Sequence, residues 1–374
     1  MNSLKSKRSM RVLISGGGTG GHIFPAIAIA DALKVKYKDT EILFVGAHGK
    51  MEMDRVPAAG YPIKGLWISG FQRKLTFRNL LFPVKLLWSM AQVVGIVKRF
   101  NPDVVVGVGG YASGPALKVS GFLGHKTAIQ EQNSYPGATN RLLAKKAEQI
   151  FVAYPDMDKF FEKSKIVFSG NPIRLDIVKK DISTSEAKTH LGLDQNKKTI
   201  LIMGGSLGAR SLNEAVMHLK ELWLENPHIQ LFWQVGKLYY EDYIDTDVAK
   251  LPNVNVVAFI DDMAMVYAAS DIVVCRAGAL TISEIAVLEK PAILIPSPNV
   301  AEDHQTKNAM ALVDAGAAWM VSDANLKNEL EGKINYLLDN EAECKLKGEK
   351  LRLFAKPNAA NEIAETLHQI TLKS

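Results

Sequence analysis

Two segments of the chain, residues 16–21 and 204–208, place several glycines directly after a short apolar run. The apolar runs, residues 12–14 and 200–203, have the composition of buried strands, and helical sequence follows each glycine segment. A glycine turn that opens a helix presents unpaired backbone amides at the positive end of the helix dipole, where they suit phosphate or another anionic oxygen. Two such units in one chain are typical of an enzyme that joins two phosphate-bearing substrates.

The first glycine segment also satisfies a dinucleotide fingerprint, because Gly16, Gly18 and Gly21 form G-x-G-x-x-G after a strand. A dinucleotide site of this kind also needs an acidic residue at the end of the second strand, where it binds the ribose. The second apolar run, residues 42–45, is followed by residues 46–48, which include no acid. The sequence therefore argues against a nicotinamide cofactor, and we expect no cofactor.

His22 follows the first glycine segment at the start of a helix. A lone histidine in such a place often only caps or packs against the helix. A neutral imidazole is also the usual general base near neutral pH, and a strand-end turn is where a ligand would lie. The residues alone leave both roles open for His22.

Glu284 ends a further glycine–helix stretch, which starts at Gly278 after the predicted strand at residues 272–275. The stretch also includes the hydroxyls of Thr281 and Ser283. A glutamate one turn into a helix could accept both hydroxyls of a ribose. Its charge could equally do no more than stabilise the helix by interacting with the positive end of the helix dipole.

Amide and carboxylate side chains follow two other predicted strands, in residues 130–133 and 303–305. Amides in strand-end loops suit sugar hydroxyls and an N-acetyl group, although Asn and Asp are also ordinary turn residues. The pair Asp156 and Asp158 follows Pro155 in a predicted surface turn, so we expect no metal site there. Helix dipoles and amides would then neutralise a leaving diphosphate.

Strand-like runs alternate with helical stretches along both halves of the chain, which predicts the α/β class with parallel sheets. The predicted strands are residues 12–14, 42–45, 104–108, 127–130 and 150–153, and then 200–203, 230–235, 254–259, 272–275 and 292–295. Because ligands bind at the carboxyl ends of parallel strands, two such halves across a hinge near residues 170–174 would form one cleft.

The net charge of +6 hides an asymmetry between the halves: residues 1–160 hold 22 Lys/Arg and 10 Asp/Glu, and the rest hold 23 and 29. Residues 55–102 contain eight basic residues and no acidic one, interspersed with aromatic and aliphatic side chains. Such a surface suits anionic lipid, although a helix with one buried and one solvated basic face would give the same composition. No recognition motif supports nucleic acid as a partner.

Two cysteines, Cys275 and Cys344, are too few for a disulfide framework, so we expect reduced structural thiols and a cytoplasmic location. The apolar run at residues 12–14 is too short for a signal peptide.

In these motifs the chain resembles the MurG family of peptidoglycan glycosyltransferases. The resemblance covers most of the chain in order: residues 16–25, 102–114, 131–133, 170–174, 204–210, 259–263, 275–284 and 305–309. It implies the GT-B fold, with two Rossmann-like parallel-sheet domains and an interdomain cleft. The first domain would be an acceptor- and membrane-binding one, residues 1–172 with a returning helix at about 358–374. The second, residues 173–357, would bind the UDP-sugar.

The resemblance further implies transfer of N-acetylglucosamine, with inversion, from UDP-N-acetylglucosamine to the C4 hydroxyl of the lipid-linked muramoyl pentapeptide, converting lipid I to lipid II. The enzyme would act peripherally on the cytoplasmic face of the plasma (inner) membrane. Its partners would be UDP-N-acetylglucosamine, lipid I, an anionic membrane surface and other cell-wall synthesis proteins.

Site residues carry over by motif. The resemblance implies a place beside the donor sugar and the acceptor for Thr19, Gly20 and Gly21, and a sugar contact for Asn133. It implies uracil contacts for Arg174 and the backbone at Ile260. It implies a phosphate contact for Ser206 and ribose contacts for Glu284. Contacts with the diphosphate and the sugar would come from Ala279, Leu280, Thr281, Ile282 and Ser283, and further sugar contacts from Gln305. The acceptor diphosphate would be received by Gly109, Gly110 and Tyr111.

One position departs from the family pattern: Gln130 stands where the family has histidine before Glu-Gln-Asn. Because glutamine cannot relay a proton, His22 becomes the favoured general base, with Glu131 second. Two alternatives stay open, a diacylglycerol-type lipid glycosyltransferase and a non-catalytic UDP-sugar sensor.

Overall fold

The computed structural model describes residues 9–70, 81–179, 182–300 and 303–372. These residues form two units. The N-terminal unit runs to Leu175 and takes up the chain again from Lys356, and the C-terminal unit comprises Asp176–Ala355.

The N-terminal unit contains a seven-stranded parallel sheet in the order β3-β2-β1-β4-β5-β6-β7. The strands are β1 Arg11–Gly16, β2 Glu41–Ala47, β3 Ile63–Leu66, β4 Val104–Gly109, β5 Lys126–Glu131, β6 Gln149–Val152 and β7 Ile166–Val167. The helices of the first segment are α1 Gly20–Lys36, α2 Glu52–Ala58, α3 Phe82–Phe100, α4 Ser113–Phe122, α5 Ala138–Leu143 and, across the unit boundary, α6 Leu175–Lys179.

The C-terminal unit contains a six-stranded parallel sheet in the order β10-β9-β8-β11-β12-β13. Its strands are β8 Lys198–Met203, β9 Ile229–Gln234, β10 Val254–Val257, β11 Ile272–Arg276, β12 Ala292–Ile295 and β13 Trp319–Met320. Its helices are α7 Thr184–His190, α8 Arg210–His218, α9 Lys220–Glu225, α10 Tyr240–Tyr243, α11 Met263–Ala269, α12 Ala279–Val287, α13 His304–Asp314, α14 Leu326–Asp339 and α15 Glu341–Leu351.

The last helix, α16 Ala359–Leu372, packs against α1 in the N-terminal unit. The rings of Tyr37 and His368 stack there with their centroids 4.1 Å apart, and Lys36 pairs with Glu365.

Both faces of each sheet are covered by helices, which is why the strands are continuous apolar runs. In β1, Val12 and Ile14 face α1 and α16, whereas Leu13 faces α3 and α4. The register places Ile14 between Phe44 of β2 and Val106 of β4. Ile202 of β8 lies in the same way between Trp233 of β9 and Val274 of β11.

The strand order reverses between β1 and β4 in one sheet and between β8 and β11 in the other. A glycine-containing turn and a helix follow each of these four strands. Ligands of open α/β sheets bind at the carboxyl ends of the strands where the order reverses. The four turns singled out by the sequence therefore lie where each sheet is built to hold a ligand.

All ten predicted strands are confirmed, and the parallel arrangement is confirmed with them. Three short strands were not predicted: β3, β7 and β13. Each is at an edge of its sheet and has two to four residues. Such short segments lack the long apolar run that marks the central strands.

Candidate active site

The turn after β1 fixes the imidazole of His22 in one tautomer. His22 Nδ1 lies 3.1 Å from the carbonyl oxygen of Gly17 and 3.3 Å from Thr19 Oγ1. Since a carbonyl oxygen can only accept a hydrogen bond, Nδ1 must carry the proton. The lone pair of the neutral ring is then on Nε2, which is the arrangement of a general base.

The turn after β4 packs directly against the first turn. Gly109 and Gly110 have φ values of +104° and +86°, a region that side-chain-bearing residues rarely adopt. A Cβ at Gly109 would lie 2.6 Å from His22 Cδ2, and one at Gly110 would lie 2.3 Å from the oxygen of Gly17. These two glycines therefore let the second turn close over the ring and the carbonyl that orients it.

Tyr111, next in this turn, is half exposed, and its ring lies against Gly70. Helix α4 begins just after it, where Ser113 Oγ lies 2.7 Å from the Ser15 carbonyl oxygen. Ser113 thereby ties the start of α4 to the end of β1.

A buried acid, Glu52, lies against the first turn. Its Oε2 accepts the amide of Gly18 and its Oε1 accepts the amide of Ala47, each at 2.9 Å. The sequence shows no acid directly after β2, but the first turn of α2 brings one to this place. The Gly18 amide, which the glycine pattern assigns to an anionic ligand, is used by a carboxylate of the protein itself.

The carboxylate of Glu131, the second candidate base, is occupied by its own loop. Oε1 accepts the backbone and side-chain amides of Asn133 at 3.0 and 3.2 Å. Oε2 accepts the Gly137 amide at 3.0 Å and Asn140 Nδ2 at 2.8 Å. This arrangement holds the loop after β5 and orients the Asn133 side chain.

Gln130, the position that departs from the family pattern, is fully buried in a network of amides. Its Nε2 donates to Asn171 Oδ1 at 3.1 Å, its Oε1 accepts from Gln132, and Asn171 donates to the Gln132 carbonyl at 3.2 Å. The network connects the end of β5 to the segment that leads out of the N-terminal unit.

Arg174 also belongs to the N-terminal unit, and its guanidinium lies over the ring of Phe24 in α1, 5.6 Å from the centroid. Its partner in the expected uracil contact, Ile260, follows β10 in the C-terminal unit and has a buried side chain. A contact between Ile260 and a ligand would therefore come from the backbone. The shared uracil contact stays a prediction.

In the C-terminal unit, the turn after β8 approaches the end of β9 backbone to backbone. A Cβ at Gly208 would lie 2.3 Å from the Val235 carbonyl oxygen. Gln234 Nε2 donates to the Gly205 carbonyl oxygen at 3.1 Å and holds the turn from the side. Ser206 lies within this turn and is partly exposed.

The turn after β11 begins α12 with Gly278 as its N-cap. Leu280 and Ile282 bury their side chains, so only their backbone could contact a ligand. Thr281 and Ser283 are partly exposed, and Ser283 Oγ donates to the Ala279 carbonyl oxygen at 3.0 Å. The first turn of α12 has no acidic residue.

Glu284 is buried, and its Oε2 accepts the hydroxyl of Tyr267 from α11 at 2.9 Å. Burial, followed by the charge of Glu284, raises the pKa of the Cys275 thiol to about 12. Cys275 is therefore a neutral thiol near neutral pH. Gln305, at the start of α13, accepts the Ser297 amide at 2.8 Å through its side-chain oxygen.

The structure thus groups the candidate residues into two sets. In the N-terminal unit, the two central turns and the helix start that follows the first of them hold Thr19, Gly20, Gly21, His22, Gly109, Gly110 and Tyr111, and Glu131 and Asn133 lie one strand away. In the C-terminal unit, Ser206 lies in the turn after β8 and residues 279–284 begin α12 after β11, with Ile260 and Gln305 after the flanking strands β10 and β12.

Two residues were missed by sequence reasoning, Glu52 and Tyr267. Tyr267 is fully buried in an apolar helix and reads as a core residue. The sequence carries no signal for Glu52, because the close approach at Gly17 and Gly46, where a Cβ would lie 2.2 Å and 2.5 Å from its side-chain atoms, exists only in the folded chain.

Comparison with known proteins agrees with this layout. Residues 12–152 match the glycosyltransferase family 28 N-terminal domain, and residues 199–366 match the glycosyltransferase family 28 C-terminal domain. The chain belongs to glycosyltransferase family 28, in its MurG branch. Two relatives are each named UDP-N-acetylglucosamine–N-acetylmuramyl-(pentapeptide) pyrophosphoryl-undecaprenol N-acetylglucosamine transferase. The one from Flavobacterium psychrophilum is 51% identical over 96% of both chains, and the one from Cytophaga hutchinsonii is 49% identical over 98% of both.

Among solved structures, MurG from Acinetobacter baumannii matches with a TM-score of 0.73 and 28% identity, over 96% of this chain and 99% of that one. The family branch and the GT-B fold implied by the motifs are confirmed, with a seven-stranded and a six-stranded parallel sheet. The chain is a glycosyltransferase.

Proposed function

We propose that this chain transfers N-acetylglucosamine from UDP-N-acetylglucosamine to the muramoyl C4 hydroxyl of lipid I, which produces lipid II. The observation that carries the proposal is the 51% identity over 96% of the chain to a relative named for that transfer. The geometry supports it, because each unit holds glycine turns where the strand order reverses, and the N-terminal unit adds an oriented imidazole.

The C-terminal unit supplies most of the donor contacts in this proposal. The amides and hydroxyls at the start of α12 and Ser206 hold the diphosphate, where the helix dipole favours negative charge. Glu284 accepts the ribose hydroxyls, Gln305 and Asn133 contact the sugar, and Arg174 and the Ile260 backbone contact the uracil. The two glycines and Tyr111 after β4 receive the acceptor diphosphate.

The reaction is a direct displacement. The acceptor hydroxyl attacks the anomeric carbon from the face opposite UDP, so the bond to the new oxygen forms as the bond to UDP breaks and the configuration inverts. Nε2 of His22 takes the hydroxyl proton. UDP leaves with the bonding electron pair, and the amides at the start of α12 stabilise its charge. Glu131 organises the Asn133 loop.

Tyr267→Phe is expected to raise the KM for UDP-N-acetylglucosamine roughly 3- to 10-fold with little change in kcat, because one hydrogen bond that orients Glu284 is lost. Initial rates at varied donor concentration measure it. The matched control is Tyr61→Phe, since the Tyr61 hydroxyl donates to Asp31 at 2.6 Å in the other unit. An unchanged KM, or an equal rise in the control, would argue against a positioning role.

An apolar surface on α3 supports contact with a membrane. Leu81, Val84, Leu87 and Trp88 recur on one helical face, and each is at least half exposed. Lys85 lies beside them with its Nζ 5.6 Å from the ring centroid of Trp67. Basic charge beside exposed apolar side chains suits the surface of an anionic bilayer. Residues 71–80 of the predicted basic stretch lie outside the described residues.

Among the residues that the structure describes, no helix combines the length and hydropathy that a bilayer-spanning segment needs. Peripheral association, the cytoplasmic face and contacts with other cell-wall synthesis proteins are parts of this proposal.

The double variant Leu87→Gln/Trp88→Gln is expected to weaken binding to vesicles containing anionic lipid by ~10-fold or more, because two apolar side chains no longer enter the interface. Vesicle co-sedimentation measures it, and a water-soluble acceptor analogue should be turned over as before. The matched control is Leu238→Gln/Leu353→Gln, two leucines of the C-terminal unit with 69% and 77% exposure. An equal loss of vesicle binding in both double variants would contradict the assignment of this surface to membrane contact.

Radiolabelled UDP-N-acetylglucosamine, offered separately with lipid I, with diacylglycerol and without acceptor, tests the proposed function. We expect a labelled lipid product only with lipid I. Transfer to diacylglycerol alone would favour a different lipid glycosyltransferase. Donor binding without turnover in the presence of lipid I would favour a sensor.

A further inference from the structure

The carboxylate of Glu52 is almost completely buried, at 1% exposure, and it bridges two strand ends. One oxygen accepts the Ala47 amide at the end of β2, and the other accepts the Gly18 amide in the turn after β1. Both contacts come from N–H donors, which suits the ionised carboxylate.

The Gly18 amide belongs to the same peptide group as the Gly17 carbonyl. That carbonyl oxygen accepts the Nδ1 proton of His22 at 3.1 Å, while the amide on the other side of the group donates to Glu52 at 2.9 Å. The carboxylate, the peptide group and the imidazole therefore form one chain of hydrogen bonds. Each bond in such a chain polarises the next, and in a low-dielectric interior the effect is strengthened.

We infer that Glu52 is a positioning residue for His22 and acts through the Gly17–Gly18 peptide group. This rests on the proposed function, in which His22 is the base. The carboxylate holds the peptide plane so that its carbonyl faces Nδ1, and its negative charge makes that carbonyl oxygen a stronger acceptor. The ring is thereby kept as the Nδ1–H tautomer, and the positive charge of the imidazolium is stabilised when Nε2 takes the acceptor proton.

The proton stays on His22 until it is released to solvent or product, and Glu52 takes no proton in this step. The arrangement has the role of the carboxylate that orients the histidine in a hydrolase triad, with a peptide group inserted between the two side chains.

Glycines at two positions make room for the carboxylate. A Cβ at Gly17 would lie 2.2 Å from Glu52 Oε1, and a Cβ at Gly46 would lie 2.5 Å from Glu52 Cγ. The group that lies close to the backbone of Gly17 is thus the Glu52 carboxylate of the protein itself. A phosphate at the Gly18 amide would meet a negative charge, so this part of the first turn orients the base and does not hold an anion.

Glu52→Gln tests the inference because it keeps the size of the side chain and replaces one acceptor oxygen with a donor. We expect kcat to fall by about 10- to 100-fold, as for other groups that orient a reacting side chain, while the KM for UDP-N-acetylglucosamine stays unchanged. The matched control is Asp103→Asn, whose carboxylate accepts the Arg11 amide at 2.7 Å at the amino ends of β1 and β4, away from the glycine turns. The control should keep its kcat.

Nitrogen-15 NMR of histidine-labelled protein gives a readout that a merely structural role would not move. The His22 signals are assigned by their loss in His22→Gln. In the wild type we expect Nδ1 to be protonated, and in Glu52→Gln we expect the Nε2–H tautomer to become populated.

The wild-type spectrum can overturn the inference even where Glu52→Gln does not fold, since a dominant Nε2–H tautomer would contradict it. An unchanged tautomer and kcat in folded Glu52→Gln would overturn it as well. If the wild type shows the Nδ1–H tautomer but no transfer to lipid I, the proposed function fails while the orientation of His22 by this peptide group stands.

Discussion

Replacing His22 with alanine is expected to lower kcat by about 10²- to 10⁴-fold, which is the usual contribution of general-base catalysis. The affinity for UDP should stay nearly unchanged, because the imidazole belongs to the N-terminal unit whereas the proposed donor contacts are mainly in the C-terminal one. Single-turnover rates with saturating substrates measure the first effect, and calorimetric titration with UDP measures the second.

His125 offers a matched control for this variant. Its Nδ1 also lies on a backbone carbonyl, that of Pro102 at 2.8 Å, but at the amino ends of the strands. His125→Ala should leave kcat within a few-fold of wild type. Near-wild-type turnover in His22→Ala would remove His22 as the base and reopen the case for another residue.

Replacing Glu284 with alanine is expected to raise the KM for UDP-N-acetylglucosamine by roughly 10- to 100-fold, because hydrogen bonds to a charged group are worth about 1.5–3 kcal/mol. The change also leaves the buried Tyr267 hydroxyl without the acceptor that it has in the native protein. Initial rates over a range of donor concentrations measure the effect.

A donor with 2′-deoxyribose makes this test specific. The wild type should use it less well than the natural donor, and Glu284→Ala should no longer distinguish the two, because the removed carboxylate is the group that reads the hydroxyl. If Glu284→Ala keeps the discrimination, the ribose is read elsewhere and Glu284 only supports α12.

The parts of the fold that sequence could predict are those set by local patterns. The central strands are apolar runs such as residues 104–108 and 200–203, and continuous burial on both faces requires that composition. The glycine turns are predictable because each one is a group of glycines between an apolar run and helical sequence. A helix that starts directly after such a turn presents backbone amides that have no partner within the helix. The edge strands β3, β7 and β13 carry no such pattern and form by pairing with strands that already exist.

The candidate site was predictable in its positions and less so in the contacts of its residues. His22 was placed correctly at the start of a helix, but its tautomer depends on the Gly17 carbonyl, which only the folded turn supplies. Glu131 has the right type for a base, yet four donors from the loop after β5 and from α5 surround its carboxylate. Glu52 reaches the first turn from a different helix, so its role depends on tertiary packing and not on spacing.

The net charge difference between the halves also has a partial structural explanation. One basic residue of α3, Lys85, lies beside the exposed ring of Trp67. The basic residues at positions 73, 74 and 78 lie outside the described part of the chain, so composition is the only guide to them.

The most direct test of the central proposal is the chemical structure of the product formed from UDP-N-acetylglucosamine and lipid I. We expect a disaccharide in which N-acetylglucosamine is joined through a β bond to the C4 oxygen of the muramoyl sugar. In the NMR spectrum, the β bond gives a large coupling between the trans-diaxial protons H1 and H2 of N-acetylglucosamine. Free N-acetylglucosamine as the sole product, an α bond, or a bond to another hydroxyl would contradict inverting transfer to lipid I.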